Sequence, residues 1–211
     1  MKRYFQFAFY LVLLTGVFSA KAGAYEDFFQ AIEVDNARAV TALLARGFDP
    51  NTLDPKGQGG LHLAYRSGSR RSGTALLADG KTQVDLPNAA DETPLMLAAL
   101  RGDLDGCQDL LAKGAAIQRP GWSPLHYAAT GPNAAAVKLL LIRGALVDTP
   151  SPNGTTPLMM AARYGTEAAV DLLLESQANP SLKNQLGLDV VDFARLSGRE
   201  SLTARLEKLA R

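Results

Sequence analysis

The chain repeats one short helical motif, and that repetition limits its possible folds more than any other feature. Thr156-Pro157-Leu158 opens the clearest copy. Thr156 is placed to act as a side-chain N-cap, and Pro157 falls at the first helical position, where its missing N–H leaves nothing unpaired. Leu158, Ala161 and Ala162 give the helix an apolar face of small residues; Gly165 stops it, and Val170, Leu172, Leu173 and Leu174 mark a second helix. A helix hairpin of this size cannot bury its own apolar face, so further copies must complete its core.

Those copies are present. Thr93-Pro94-Leu95-Met96-Leu97-Ala98-Ala99 starts thirty residues before Ser123-Pro124-Leu125-His126-Tyr127-Ala128-Ala129, which starts thirty-three before Thr156. Asp189-Val190-Val191-Asp192-Phe193-Ala194 follows thirty-three later, and Gly59-Gly60-Leu61-His62-Leu63-Ala64 lies thirty-four before Thr93 with glycines in place of the cap and proline. A second landmark stays in register: Gly80, Gly114, Gly144 and Gln177 each lie twenty-one residues after a start. A period near 33 with Thr-Pro-Leu-His-x-Ala at the first helix resembles the ankyrin-repeat family, from about Tyr25 to the C-terminus. The resemblance implies an all-α solenoid of about six helix-turn-helix repeats joined by short hairpin-like loops, over residues 25–53, 54–87, 88–117, 118–150, 151–183 and 184–211. A polar outer face on the last repeat would keep such an array a monomer.

Residues 1–22 have the parts of a secretory signal: Lys2-Arg3, an apolar run from Phe7 to Phe18, and small residues at Ala20, Ala22 and Ala24. Cleavage after Ala22 or after Ala24 fits equally. The alternative is an uncleaved anchor and a membrane-tethered scaffold, although the apolar run is shorter than the roughly 20 residues a spanning helix needs. Cleaved, the chain has no membrane contact. An exported protein of this kind resembles those of Gram-negative bacteria, which implies the periplasm. From residue 23 onward there are nineteen basic and twenty-one acidic residues, so a nucleic-acid partner has no electrostatic footprint.

Within the array, Phe28 and Phe29 are expected to cover the open end of the core. The second repeat is the least regular: Gly59-Gly60 weakens its first helix, and Ser67 to Gly73 reads as a polar, flexible turn whose Arg70 and Arg71, with Arg66, are solvated. Asp103, Asp105 and Asp109 lack the spacing of a calcium loop and read as a solvated acidic face. The link from Gly114 to Ser123 is nine residues against twelve or thirteen elsewhere, which predicts a shortened hairpin carrying Trp122. Cys107, the only cysteine, reads as a small buried hydrophobe. Leu202, Leu206 and Leu209 are expected to pack inward from the last helix.

His62 and His126 are the only histidines, and both stand at the His of the repeat motif, where the resemblance implies a structural hydrogen-bonding role. No nucleophile elbow, phosphate loop, dinucleotide fingerprint or metal-ligand spacing occurs, so no catalytic residue, cofactor or metal is expected. A small-molecule site or carboxylate chemistry is the lesser alternative. What remains is a non-enzymatic module that binds a protein, as scaffold, helper or inhibitor. In the ankyrin family the hairpins act as fingers and the first helices line a concave palm. On this sequence the fingers bring forward Lys56, Glu92, Arg119, Trp122, Asn153 and Thr155, and the palm Arg66, Arg101, Arg163 and Tyr164. Trp122, Tyr164, Arg101 and Arg163 are the expected centre, because Trp, Tyr and Arg dominate interface energetics.

Overall fold

A computed structural model describes residues 23–209 as twelve helices with no strand among the described residues, only one isolated bridge between Leu53 and Gly59. In chain order they are α1 (23–33), α2 (Ala37–Ala45), α3 (Gly60–Ser67), α4 (Arg70–Ala78), α5 (Pro94–Arg101), α6 (Leu104–Ala112), α7 (Pro124–Thr130), α8 (Ala134–Ile142), α9 (Pro157–Tyr164), α10 (Glu167–Glu175), α11 (Val190–Leu196) and α12 (Glu200–Leu209). They form six successive hairpins. First helices stack on first helices from α3 through α11, and second helices stack from α2 through α10, so two layers enclose one continuous core. The expected signal segment lies outside the described residues.

The caps work as their residue types dictate. Thr93 and Thr156 accept from the backbone N–H of Met96 and Met159 at 3.4 Å, each with proline at the first helical position. The residue three places into the helix reaches back to the cap's own N–H in every repeat from the second on. His62 and His126 accept there through Nδ1 at 3.2 and 3.1 Å, Met96 and Met159 through sulfur at 3.4 Å, and Asp192 through a carboxylate oxygen at 3.2 Å. Only the histidines also reach the next repeat: Nε2–H donates to the Glu92 carbonyl from His62 (3.1 Å) and to the Thr155 carbonyl from His126 (3.0 Å).

The second repeat differs from its sequence expectation. Helix α4 begins at Arg70, so most of the expected flexible turn is helical. Its start is capped from the preceding repeat: the Asp35 carboxylate accepts from the Ser72 N–H at 2.8 Å and pairs with Arg71 at 3.0 Å. Asp35 loses solvation at this site, yet its bonds to Ser72 and Arg71 more than offset that and hold its pKa below the usual carboxylate value. Arg70 is not merely solvated either, since it reaches Asp103, Asp105 and Asp109 at 3.2, 2.8 and 3.4 Å. The acidic face of α6 is therefore half of a link between repeats two and three. Asp103 also caps α6 by accepting from Gly106 N–H at 2.9 Å.

The missing side chains of the second repeat leave room for large neighbours. A Cβ on Gly60 would lie 3.0 Å from the Phe28 ring and 3.1 Å from Ile32, both fully buried, so the glycine that weakens α3 also admits the ring that closes the core. Phe28 stacks at 4.5 Å on Phe48, and Phe29 lies edge-on to Phe28 and Tyr25. At the other end Leu202 and Leu206 are buried as expected, but Leu209 is 55% exposed because α12 runs past the last packed turn. Cys107 is buried; burial first, and the Asp103 charge second, push its thiol up to about 12, so it stays an unreactive core residue.

Candidate functional site

Five of the hairpins place one residue in left-handed backbone geometry: Gly57, Asp91, Gly121, Gly154 and Gly187, with φ between 60° and 84°. Asp91 stands where the other hairpins have glycine. Repeats two, three, five and six close these loops through a backbone pair, as in Asn88 N–H to the Glu92 carbonyl and Asp91 N–H to the Asn88 carbonyl, both 2.9 Å. The shortened loop before α7 bends without closing such a pair. Arg119 braces it instead, donating to the Asp91 carbonyl at 2.9 Å and pairing with its carboxylate. Released from a closed hairpin, Trp122 folds over α7 with its ring edge-on to His126, centroids 5.1 Å apart.

That geometry opens an apolar cleft of about 260 Å³, walled by Leu100 of α5, Trp122, His126, Tyr127 and Thr130 of the fourth repeat, and Met160 of α9. It sits where the hairpins meet the first helices, on the palm face. Tyr127 is fixed by donating its hydroxyl to Glu92 at 3.0 Å; burial first, then the Glu92 charge, raise its pKa well above the ordinary phenol. His126 is fully buried beneath the floor. Burial drives its pKa down to about 4 while the Thr155 carbonyl partly opposes that shift, so the ring is neutral with the proton on Nε2. A neutral imidazole locked on both sides is a structural strut with no free base to offer. Among the described residues no cluster of three His, Cys, Asp or Glu side chains has the arrangement to hold a metal ion, and no helix is long and apolar enough to cross a membrane.

The expected site residues divide clearly. Trp122 forms a wall of the cleft. Tyr164 lies one turn beyond Met160 on α9 and is 54% exposed, with the Arg163 guanidinium 5.0 Å above its ring and 5.9 Å from that of Phe193. Arg66 and Arg101 are exposed at the end of α3 and α5, where Arg101 donates to the Arg66 carbonyl at 2.9 Å. Lys56 and Asn153 remain exposed at hairpin tips, well outside the cleft lining. Three others are taken up by contacts within the array. Thr155 is 2% exposed, and its backbone serves the hairpin and His126, so its side chain presents nothing to a partner. Glu92 accepts from Tyr127 and from Asn88 (2.8 Å), and Arg119 is committed to Asp91. Tyr127 and Met160 were not singled out in the sequence; they sit four residues after the caps Ser123 and Thr156, and the four-residue spacing of Met160 and Tyr164 already places those two on one helix face.

The fold and this palm define a class: the chain belongs to the ankyrin-repeat family, whose description, ankyrin repeats in three copies, matches residues 28–120 and 116–184. Among solved structures it resembles a chain of the complex between a predatory endopeptidase from Bdellovibrio bacteriovorus and an immunity protein, with a TM-score of 0.74 and 26% identity over 86% of this chain and 97% of that one. It also resembles the ankyrin-repeat domain of Bcl-3, a member of the IkappaB family, with a TM-score of 0.68 and 31% identity over 80% of this chain and 77% of that one. A putative palmitoyltransferase from Danio rerio is 33% identical over 150 residues, 68% of this chain but only 23% of that protein. The shared part is thus the repeat array, a fold that generally serves interaction and not catalysis.

Proposed function

We propose that this protein is an exported, non-enzymatic binding module that grips a protein partner with the palm of repeats three to five. The observation that carries the reading is the apolar cleft around Trp122, continuous along α9 with exposed Tyr164 and flanked by Arg101 and Arg163. Tryptophan, tyrosine and arginine beside a desolvated pocket are the composition of an interface centre. The periplasm is the proposed location, resting on the signal-like residues 1–22. Among scaffold, helper and inhibitor, inhibitor of an exported enzyme is favoured, because the same fold occurs in an endopeptidase complex with an immunity protein.

The test is a crosslinked pull-down from the periplasmic fraction with wild-type protein and with Trp122→Ala/Tyr164→Ala. Helix content is checked by circular dichroism. A partner recovered by the wild type and lost by a folded double variant supports the reading, and inhibition of that partner in a purified assay selects the inhibitor role. Equal recovery by both proteins rejects the palm. A protein retained in the membrane at its full mass would instead support the tethered scaffold.

A further inference from the structure

The middle of the palm is one-sided in charge. Helices α3, α5, α7 and α9 carry three charged residues between them, and all three are arginines: Arg66, Arg101 and Arg163. All three stand in the last turn of their helices, Arg66 and Arg163 seven residues after the caps Gly59 and Thr156 and Arg101 eight after Thr93. None of them pairs with a carboxylate among the described residues, whereas Arg70, Arg71, Arg119, Arg195 and Arg205 all do. On the first helices, acidic residues occur only at the two ends of the array: Glu26, Asp27 and Glu33 on α1, and Asp192 on α11, which Arg195 neutralises at 2.8 Å. The middle of the palm thus presents positive charge with no carboxylate on its own four helices, in a chain that has more acidic than basic residues from residue 23 onward. Arg66 and Arg101 stand on one side of the apolar cleft and Arg163 on the other.

We infer that the palm takes an acidic protein segment that seats one large apolar side chain against Trp122, Tyr127 and Met160 and lays carboxylates on Arg66, Arg101 and Arg163. This deepens the binding function proposed above and rests on it. The cleft supplies burial for a single Leu, Met or Phe side chain, which fixes register; the arginines supply the sign of the flanking charges. Arg163, stacked on Tyr164 and beside Phe193, is held with its guanidinium edge available for a carboxylate. Complementary charge of this kind speeds encounter and excludes basic competitors more than it adds affinity.

The experiment is selection of a random heptapeptide display library on the immobilised protein, followed by titration of the selected peptides. Trp122 is the only tryptophan in the chain, so its emission reports occupancy of the cleft. The inference expects peptides with a central apolar residue flanked by Asp or Glu, binding that weakens as salt rises, and a roughly tenfold loss in Arg66→Glu/Arg163→Glu, neither of which has a fold-bearing polar contact. Selected peptides that are apolar without acidic bias would overturn it while leaving the palm as a binding face. So would basic peptides, enrichment that leaves Trp122 emission unchanged, or no enrichment at all.

Discussion

Replacing His126 by methionine makes the role of this buried ring measurable, because the chain already uses methionine at the matching position of repeats three and five. Met96 and Met159 are as buried as His126 and accept from the cap N–H in the same way, so His126→Met keeps the acceptor and the packing. What it removes is the Nε2–H link to the Thr155 carbonyl and the ability to titrate. At neutral pH the Thr155 carbonyl keeps its bond from the Ser151 N–H at 2.9 Å, so only one net hydrogen bond is lost, a cost of about 1–1.5 kcal/mol. Below neutrality the sign changes. Burial lowers the folded-state pKa of His126 from 6.5 to about 4, so the unfolded chain binds the proton first. Stability from this group is complete above pH 6.5 and is lost as pH falls toward 4. Each tenfold in proton affinity is about 1.4 kcal/mol, so the full loss is about 3 kcal/mol, and about 2.5 kcal/mol has gone by pH 4.5. The two stability curves should therefore cross at roughly pH 5.5, wild type ahead above it and the variant ahead below.

Urea unfolding followed by circular dichroism, with Trp122 emission as a probe local to the fourth repeat, measures this directly. With a slope of about 2 kcal/mol per molar urea, the wild-type midpoint should fall about 1 M more than that of the variant between pH 7.5 and pH 4.5. His62, whose pKa burial also lowers, and all carboxylates are common to both proteins and cancel in the comparison. Parallel curves across that range would refute the neutral, doubly bonded ring.

Other consequences concern single positions. A Cβ at Gly165 would come 2.0 Å from the Ala129 carbonyl oxygen although the backbone there is extended, so Gly165→Ala should destabilise by about 3 kcal/mol in chemical unfolding, by forcing repeats four and five apart. Gln177 holds φ +67° with an exposed side chain where Gly114 and Gly144 serve elsewhere, and Gln177→Gly should stabilise by about 0.5–1 kcal/mol, read as a raised urea midpoint. Phe28→Ala should cost about 3–5 kcal/mol and expose the first repeat to proteolysis, since the ring closes the core over Gly60. Arg70→Ala should cost only about 1 kcal/mol, less at high salt, because its three carboxylates are partly solvated.

The period, the Thr-Pro caps and the apolar positions were legible in the sequence because each is a local rule. Thr156 caps and Pro157 starts a helix whatever lies beyond, and a hairpin too small to bury its own face demands neighbours. The sequence likewise marked Trp122 and Tyr164. What it could not give were contacts between successive repeats, made by residues 28 or more apart. The cap of α4 comes from Asp35 in the preceding repeat, the partners of Arg70 lie on α6, and Glu92 and Arg119 spend their charges inside the array. The cleft itself exists only because a hairpin shortened in repeat four drops Trp122 across residues of three successive repeats. Local chemistry fixes which helix forms and where it ends; which side chains remain free to meet a partner depends on the offset between stacked repeats, and only the tertiary structure decides that.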